Sequence, residues 1–443
     1  MSSSTTSEPA NIAVFAVVSS AEFVYRYAQK SVALLSRPVL WPTILFFIPK
    51  VNLISFRNET AGIRFDDFIL LTVVSLLAFG WVVNLDFKTD PVPAMGFAVV
   101  ALFCTSNFIN AGHSSILYSL RLVEYLIFYW SGKYFIRCRY DFDFLVKLLI
   151  GLNCAVIFLQ SLGIVGGFTA DGYESKVDGP FGISANYHSE MGALLNVAFA
   201  GLVFRTKPIA RFWYWCILTG TCIFLTGSRS ALLAHCLLTL VYIYKGSRKK
   251  AALIWGMAAI SALLVTVLVA IPNPVSSRSE DLFSAQNVAT FRDVYDDIPV
   301  DPQFSSVSEG GAPEDAPEGV DRSWYIRGFK WAQVVKTMLA EPRMVWIFGL
   351  GPGALGPALD GGWLRLICET GVIGTVAFLA FMRRISRLST ACSMAVLALA
   401  VNMLMVDSHN AYKVMAFLFF LAGTQINREF KQPTSADSKL RTA

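Results

Sequence analysis

From about residue 38 to residue 427 the chain alternates between long apolar runs and short polar clusters. A helix needs about 20 mostly apolar residues to cross the hydrocarbon core of a bilayer. On that length the pattern predicts about twelve membrane-spanning helices, near 38–56, 67–84, 93–110, 114–131, 144–166, 188–204, 210–226, 229–244, 251–271, 363–382, 389–406 and 411–427. Residues 11–30 read differently. Ser19, Glu22, Arg26 and Gln29 recur at three- and four-residue steps and form one polar face, the pattern of an amphipathic helix lying in the membrane interface. Residues 272–321 are rich in Pro, Ser, Gly, Asp and Glu and predict a solvated segment. Their acidic run, Asp293, Asp296, Asp297 and Asp301, lacks the central Gly of a calcium loop and reads as acidic surface. From Arg322 to Glu341 the pattern predicts a helix, with Tyr325, Phe329, Ala332, Val335 and Leu339 as its apolar stripe and Pro342 ending it.

Composition narrows the class. Of 443 residues, 55% are hydrophobic and 15% charged, whereas a soluble domain carries about a quarter charged residues. A soluble enzyme, a disordered chain and a secreted disulfide scaffold are excluded. Seven of the eight Cys lie in apolar runs, where a thiol behaves as a small hydrophobe, and only Cys138 lies in a polar connector. There is no CxxC, and His occurs four times, so no metal, redox centre or other cofactor is expected. The net charge of +6 is not gathered into a basic domain, so no nucleic-acid partner is expected. The start, MSSSTTSEPA, lacks the basic opening of a signal peptide.

The Lys and Arg positions orient the spans, because cytoplasmic connectors hold the excess. With the N-terminus inside, those connectors hold Lys133, Arg137 and Arg139; Arg205, Lys207 and Arg211; Lys245, Arg248, Lys249 and Lys250; and Arg383, Arg384 and Arg387, before a basic tail. Arg57 and Arg64 fall on the outer side against the trend. The expected architecture is an all-α, polytopic transmembrane helical bundle. Residues 1–37 form a cytoplasmic tail and interfacial helix, 38–271 carry spans one to nine, and 272–362 form one large external loop. Spans ten to twelve occupy 363–427, and 428–443 is a second cytoplasmic tail.

The polar chemistry gathers on the outer side. Asp178-Gly179-Pro180-Phe181-Gly182 runs into Asn186-Tyr187-His188 where span six begins, with Glu190 just beyond. Thr226-Gly227-Ser228-Arg229-Ser230 is a tight turn between spans seven and eight, and Asp407-Ser408-His409-Asn410 turns between the last two spans. Arg229 offers a permanently charged planar fork that suits phosphate or carboxylate, or anchors at the headgroups. Gly227 allows the chain to turn sharply beside it. Arg322 and Arg327 add external charges on the loop helix, next to Trp324 and Trp331, which also suit an interfacial anchor. Within span four, Arg121 and Glu124 share a helix face and read either as an interhelical ion pair or as a substrate contact. His235 reads as a hydrogen-bonded core residue. Gly349-Leu350-Gly351-Pro352-Gly353-Ala354-Leu355-Gly356-Pro357 lacks the Lys-Ser/Thr end of a P-loop and reads as a compact return to span ten.

Five of these segments, in order, resemble the O-antigen ligase and polymerase family of bacterial membrane glycosyltransferases. They are Gly179-Pro180-Phe181-Gly182 with Asn186; Thr226-Gly227-Ser228-Arg229; Arg327-Gly328-Phe329-Lys330-Trp331; Gly349-Leu350-Gly351-Pro352-Gly353; and Leu364 with Glu369-Thr370-Gly371-Val372-Ile373-Gly374. They cover residues 179–374. The resemblance implies a GT-C-like fold with a large periplasmic loop, and sugars carried on a polyprenyl diphosphate. It implies that Arg229, with Arg327 or Arg322, binds the diphosphate leaving group; Asn186, His188, Arg121 and Glu124 stand beside them as candidate substrate contacts read from their positions. Pre-placed cations stabilise the negative charge that develops as the sugar–diphosphate bond breaks, and such a site needs no metal.

One departure matters. Ligases of this family carry a His-Asn pair nine residues before the Glu-Thr-Gly segment, and here that place holds Asp360-Gly361. Asp360, if burial raises its pKa, or His409 is the candidate general base. The departure favours a repeat-unit polymerase, in the bacterial inner membrane with its active site facing the periplasm. It would transfer a growing glycan from polyprenyl diphosphate to a lipid-linked repeat unit during O-antigen, capsule or exopolysaccharide assembly. The alternatives are a ligase that transfers glycan to lipid A-core and a lipid-linked oligosaccharide transporter. The partners expected are the lipid-linked donor and acceptor, membrane lipids, a chain-length regulator and a flippase.

Overall fold

The computed structural model describes residues 40–49, 51–55, 62–84, 90–109, 116–169, 172–175, 179–205, 212–246, 295, 322–355 and 359–425. Among these the chain is a helical bundle: α1 (Trp41–Ile44), α2 (Phe65–Asn84), α3 (Pro91–Ile109), α4 (Ile116–Arg137), α5 (Phe142–Ser161), α6 (His188–Val203), α7 (Phe212–Leu225), α8 (Arg229–Gly246), α9 (Arg322–Ala340), α10 (Arg343–Phe348), α11 (Gly362–Ser386), α12 (Thr390–Asn402) and α13 (Tyr412–Gln425). Three of them, α3, α5 and α11, are each long and apolar enough to cross a membrane. Two short antiparallel hairpins join the helices, β1 (Asn52–Ser55) with β2 (Gly62–Arg64) and β3 (Gly167–Thr169) with β4 (Gly172–Glu174), so the chain is not purely α.

Ten of the predicted spans appear as helices. The first does not: 38–56 folds as the single turn α1 followed by strand β1. Pro42 and Pro49 explain the break, since proline removes a helix donor and clashes with the preceding turn. The amphipathic segment 11–30, the span 251–271 and Asp293, Asp296, Asp297 and Asp301 lie outside the described residues. The loop helix predicted over 322–341 is α9.

Local chemistry sets the helix ends. Asp141 caps α5 by accepting the Phe144 N–H at 3.1 Å, and Ser389 caps α12 through the Cys392 N–H. At the other end of α5, Gly163 takes a left-handed turn (φ 68), with its N–H on Gln160 O and that of Ile164 on Leu159 O. That closure satisfies the last carbonyls and stops the helix at Ser161 instead of 166.

The core forms where α4 and α13 cross. A methyl at Gly132 would overlap the Phe420 carbonyl, and one at Gly423 the Tyr129 carbonyl, so two glycines let the backbones touch. Phe46 packs there against Phe128, Phe417 and Phe420, with centroids 5.3–5.5 Å apart. A second, smaller core joins the loop helix to the bundle, made of Val334, Met338, Val345, Leu350, Leu355, Leu359 and Cys368. Away from the candidate site, Lys133 pairs with Asp90 at 3.1 Å and Arg205 pairs with Asp143.

Candidate functional site

The loop before α6 is held by side chains of α5. Gln160 Oε1 accepts the N–H groups of Phe181 and Gly182, both at 2.9 Å, and Asn153 Oδ1 accepts those of Ile183 and Ser184 at 3.1 and 3.0 Å. Gly182 sits at φ 70 with its α-carbon close to Asn153 and Met191. This fixed loop delivers Asn186, which is buried with its Oδ1 unpartnered among the described residues, and then His188 at the start of α6. One turn further, Gly192 lies against Ser228 and Ala231 of the next turn, and Asn196 Nδ2 donates to Ala231 O at 2.7 Å. The Asn186–Glu190 segment and the Thr226–Arg229 turn therefore share one end of the bundle.

Arg229 is the first residue of α8, half-buried, after Gly227 at φ 70. A cation at a helix N-terminus opposes the helix dipole. Helix energetics alone thus do not favour Arg229 at this position.

The loop helix reaches the same end through a three-residue strap, Leu359–Gly361. Arg327 Nε lies 3.3 Å from Asp360 Oδ2, and Trp331 Nε1 donates to Leu359 O at 3.1 Å. Asp360 takes a left-handed conformation at φ 57, which Asp tolerates better than most residues. Its side chain is 40% exposed. Arg322 opens α9, and its side chain lies outside what the structure describes, as does that of Trp324.

Below the strap sits a buried ionic cluster. Arg365 is 0% exposed; its Nε donates to Glu369 Oε1 at 3.0 Å and its Nη1 to Asp407 Oδ2 at 2.9 Å. Asp407 also accepts the N–H groups of Leu359 at 2.9 Å and Gly361 at 3.2 Å. Burial alone would raise the Asp407 carboxyl, but the Arg365 guanidinium, with His409 and the Leu359 N–H, outweighs it and holds the pKa below its usual range. His409, the other candidate base, is buried edge-on to Phe378 at 6.2 Å, with Nδ1 unpartnered among the described residues. Burial pushes its pKa down to about 4 against the pull of Asp407.

The glycine-rich segment docks on the same helix. Leu350 and Gly351 donate to the carbonyls of Cys368 and Glu369, both at 2.8 Å, where Gly371 at φ 64 breaks the helical ladder of α11. Gly353 lies against the Tyr118 ring, and the Arg121 guanidinium covers that ring at 4.4 Å. Glu124 pairs with Arg64 at 3.4 Å, and Arg64 is further surrounded by Asp66 and Asp67 and lies over Tyr412 at 4.9 Å. Glu124 thus forms an ion pair, but with Arg64 at the end of strand β2 rather than with Arg121 or another helix. Tyr125 OH donates to Asn410 O at 3.3 Å and ties α4 to the turn before α13.

The structure thus pairs Arg327 with Asp360, places His409 beside the Arg365 cluster, and sets Asn186 and His188 next to the Arg229 turn. Sequence reasoning missed Arg365. The signal was there, a lone Arg four residues before Glu369 on one face of an apolar span, where a charge is rarely unpaired.

Fold and site together define a helical integral membrane protein with Arg229, the Arg327–Asp360 pair and the Arg365 cluster at one end of the bundle. Within the chain, residues 214–379 match the family described as O-Antigen ligase (Wzy_C), a little over a third of its length. That match supports the O-antigen ligase and polymerase family of membrane glycosyltransferase-type enzymes, and does not divide polymerases from ligases. No curated protein matches the chain.

Proposed function

We propose that the protein is a repeat-unit polymerase that transfers a growing glycan from polyprenyl diphosphate to a lipid-linked repeat unit. The observation that carries this reading is Arg229, a half-buried cation set against a helix dipole in the turn that packs on α6, at the end of the bundle where Asn186 and His188 enter that helix. Arg327 on the loop helix supplies a second cation. The acceptor hydroxyl oxygen attacks the anomeric carbon, its proton passes to a base, and the carrier diphosphate leaves with the bonding electrons. Attack opposite the leaving group inverts the anomeric centre. The arginines stabilise the charge gathering on the diphosphate, so no metal is needed for that task. Donor diphosphate competes with Asp360 for Arg327, and its arrival frees the Asp360 carboxylate to accept the hydroxyl proton. His409, held neutral and buried, is enclosed away from the Arg327–Asp360 pair's exposed face and is the second candidate. Asp360 in the place of the ligase His favours polymerase over ligase. The membrane is the bacterial inner membrane, with this end of the bundle in the periplasm.

The test is Arg229→Ala, read as lipid-linked glycans in the native host. Single repeats accumulate and polymer formation falls on the order of 10²–10³-fold, the loss typical for one donor at a developing anion. Polymer of normal length from correctly inserted Arg229→Ala protein removes Arg229 from the mechanism. Deleting the whole chain separates the classes: single repeats mean polymerase, whereas long carrier-linked polymer means ligase or exporter.

A further inference from the structure

We propose that Arg365 is a positioning residue that sets the loop helix, and with it the Arg327–Asp360 pair, through the two carboxylates it holds. The proposal deepens the polymerase reading and rests on it for the role of Arg327. A fully buried guanidinium in an apolar helix is costly unless every charge around it is answered. Here it bridges two carboxylates that do different work. Glu369 answers the glycine-rich segment: Gly351 donates to its carbonyl at 2.8 Å, and the Gly353 N–H reaches its carboxylate. Asp407 answers the strap by accepting both the Leu359 and Gly361 N–H groups. One guanidinium therefore clamps both ends of the return from α10 to α11.

The strap then passes that placement outward. Its two N–H groups face Asp407, while the Leu359 carbonyl takes Trp331 Nε1 and the Asp360 carboxylate takes Arg327 Nε. Gly361 lies flat against the Trp331 indole, where a methyl would come within 2.8 Å of Nε1. Asp360 stands between the two residues that Asp407 grips, so its left-handed backbone is fixed from both sides. Arg365 itself is too deeply buried to meet a substrate. Its effect reaches the site by way of Asp407, the strap and α9.

The experiment compares wild-type, Asp407→Asn and Arg365→Lys proteins, full-length in lipid nanodiscs, by hydrogen–deuterium exchange and by polymerisation kinetics. Asn cannot accept both strap N–H groups and the guanidinium together, and Lys has one nitrogen where Arg uses two. Exchange at 359–361 and along α9 is expected to rise at least tenfold in Asp407→Asn, with α4 and α13 unchanged. Arg365→Lys, the milder change, is expected to show the same pattern to a smaller degree and serves if Asp407→Asn does not fold. In turnover the donor KM rises in both, and the effect of Asp407→Asn disappears when Arg327 is already Ala. Unchanged exchange in α9, or a uniform loss of protection across the bundle, overturns the proposal. So does an undiminished Asp407→Asn effect in the Arg327→Ala background. Should Arg327→Ala alone leave turnover intact while exchange at α9 still follows Asp407 and Arg365, the polymerase role of Arg327 fails and the clamp stands.

Discussion

At the scale of single residues, the deciding quantity is what burial does to each charge. His409 has no acid beside it strong enough to keep its proton, and its pKa falls from the usual 6.5 to about 4. The folded chain therefore binds fewer protons at this site than the unfolded chain between those two values, and stability rises with pH across that window. His409 contributes its full stabilisation above pH 6.5 and loses it as the pH falls toward 4. On going from pH 7 to pH 5 the loss is ~2 kcal/mol. Thermal unfolding in detergent at both pH values measures it, and His409→Gln should flatten most of the slope; an unaltered slope would mean that other groups carry it. Asp407 acts in the same direction at lower pH, its folded pKa also being depressed. Its contribution is present above the ordinary carboxyl range and is lost only in stronger acid, so the Asp407–Arg365 pair stays charged from pH 5 to 8. A second expectation concerns rate. With His409 neutral down to about pH 4, turnover shows no inflection near 6.5 from this residue, and a pH–rate profile with one that vanishes in His409→Gln would restore it as the base.

At the scale of elements, two glycines decide how the loop segment meets the bundle. Gly371 breaks α11 at φ 64, freeing the Cys368 and Glu369 carbonyls for Leu350 and Gly351, and Gly349 at φ 80 fits against the same break. A methyl at Gly371 would strain the backbone and overlap the Ile347 carbonyl. Gly371→Ala should cost more than about 2 kcal/mol, seen as a lower unfolding temperature and weaker protection of α10. Gly151 is the contrast: it lies in α5 with open space around it, so Gly151→Ala should stabilise by roughly 0.5–1 kcal/mol through helix propensity alone. Equal effects of the two would remove the docking argument. The helices themselves were legible in the sequence, because apolar length and flanking polar clusters act locally. The break inside α11 was not. Glu369-Thr370-Gly371 lies in an unbroken apolar span, and only the approach of Gly349 from outside shows why the helix opens there. Likewise 38–56 has the length of a span, but Pro42 and Pro49 divide it. Arg229, Asn186 and His188 could be found from turn chemistry next to a span. Arg365 answers partners 4 and 42 residues away, and a pairing with Asp407 leaves no local mark.

At the scale of the whole molecule, the charges that count toward orientation are those left facing the membrane surface, not the total of Lys and Arg. Arg57 and Arg64 disagreed with the predicted orientation; Arg57 lies outside the described residues, whereas Arg64 lies within them. In the fold it is buried among Asp66, Asp67 and Glu124, so it neither meets lipid headgroups nor opposes translocation as a free cation. At the opposite end Lys133 and Arg205 are also paired, which leaves Arg139 and Arg387 among the exposed basic residues there. The proposed orientation has the end that holds Arg229, Asp360 and Asp407 facing outside. Two exposed positions test this directly: Ser175, in the connection that follows β4, and Thr390, at the start of α12. In a variant lacking the eight native Cys, Ser175→Cys should react with a membrane-impermeant maleimide on intact spheroplasts, and Thr390→Cys only after the membrane is opened. The reverse pattern would place Arg229 and the strap in the cytoplasm, where a polyprenyl-linked glycan already moved to the outer face could not reach them. Polymer formation would then have to precede export, and the reading of this end as the polymerisation site would be lost with the orientation.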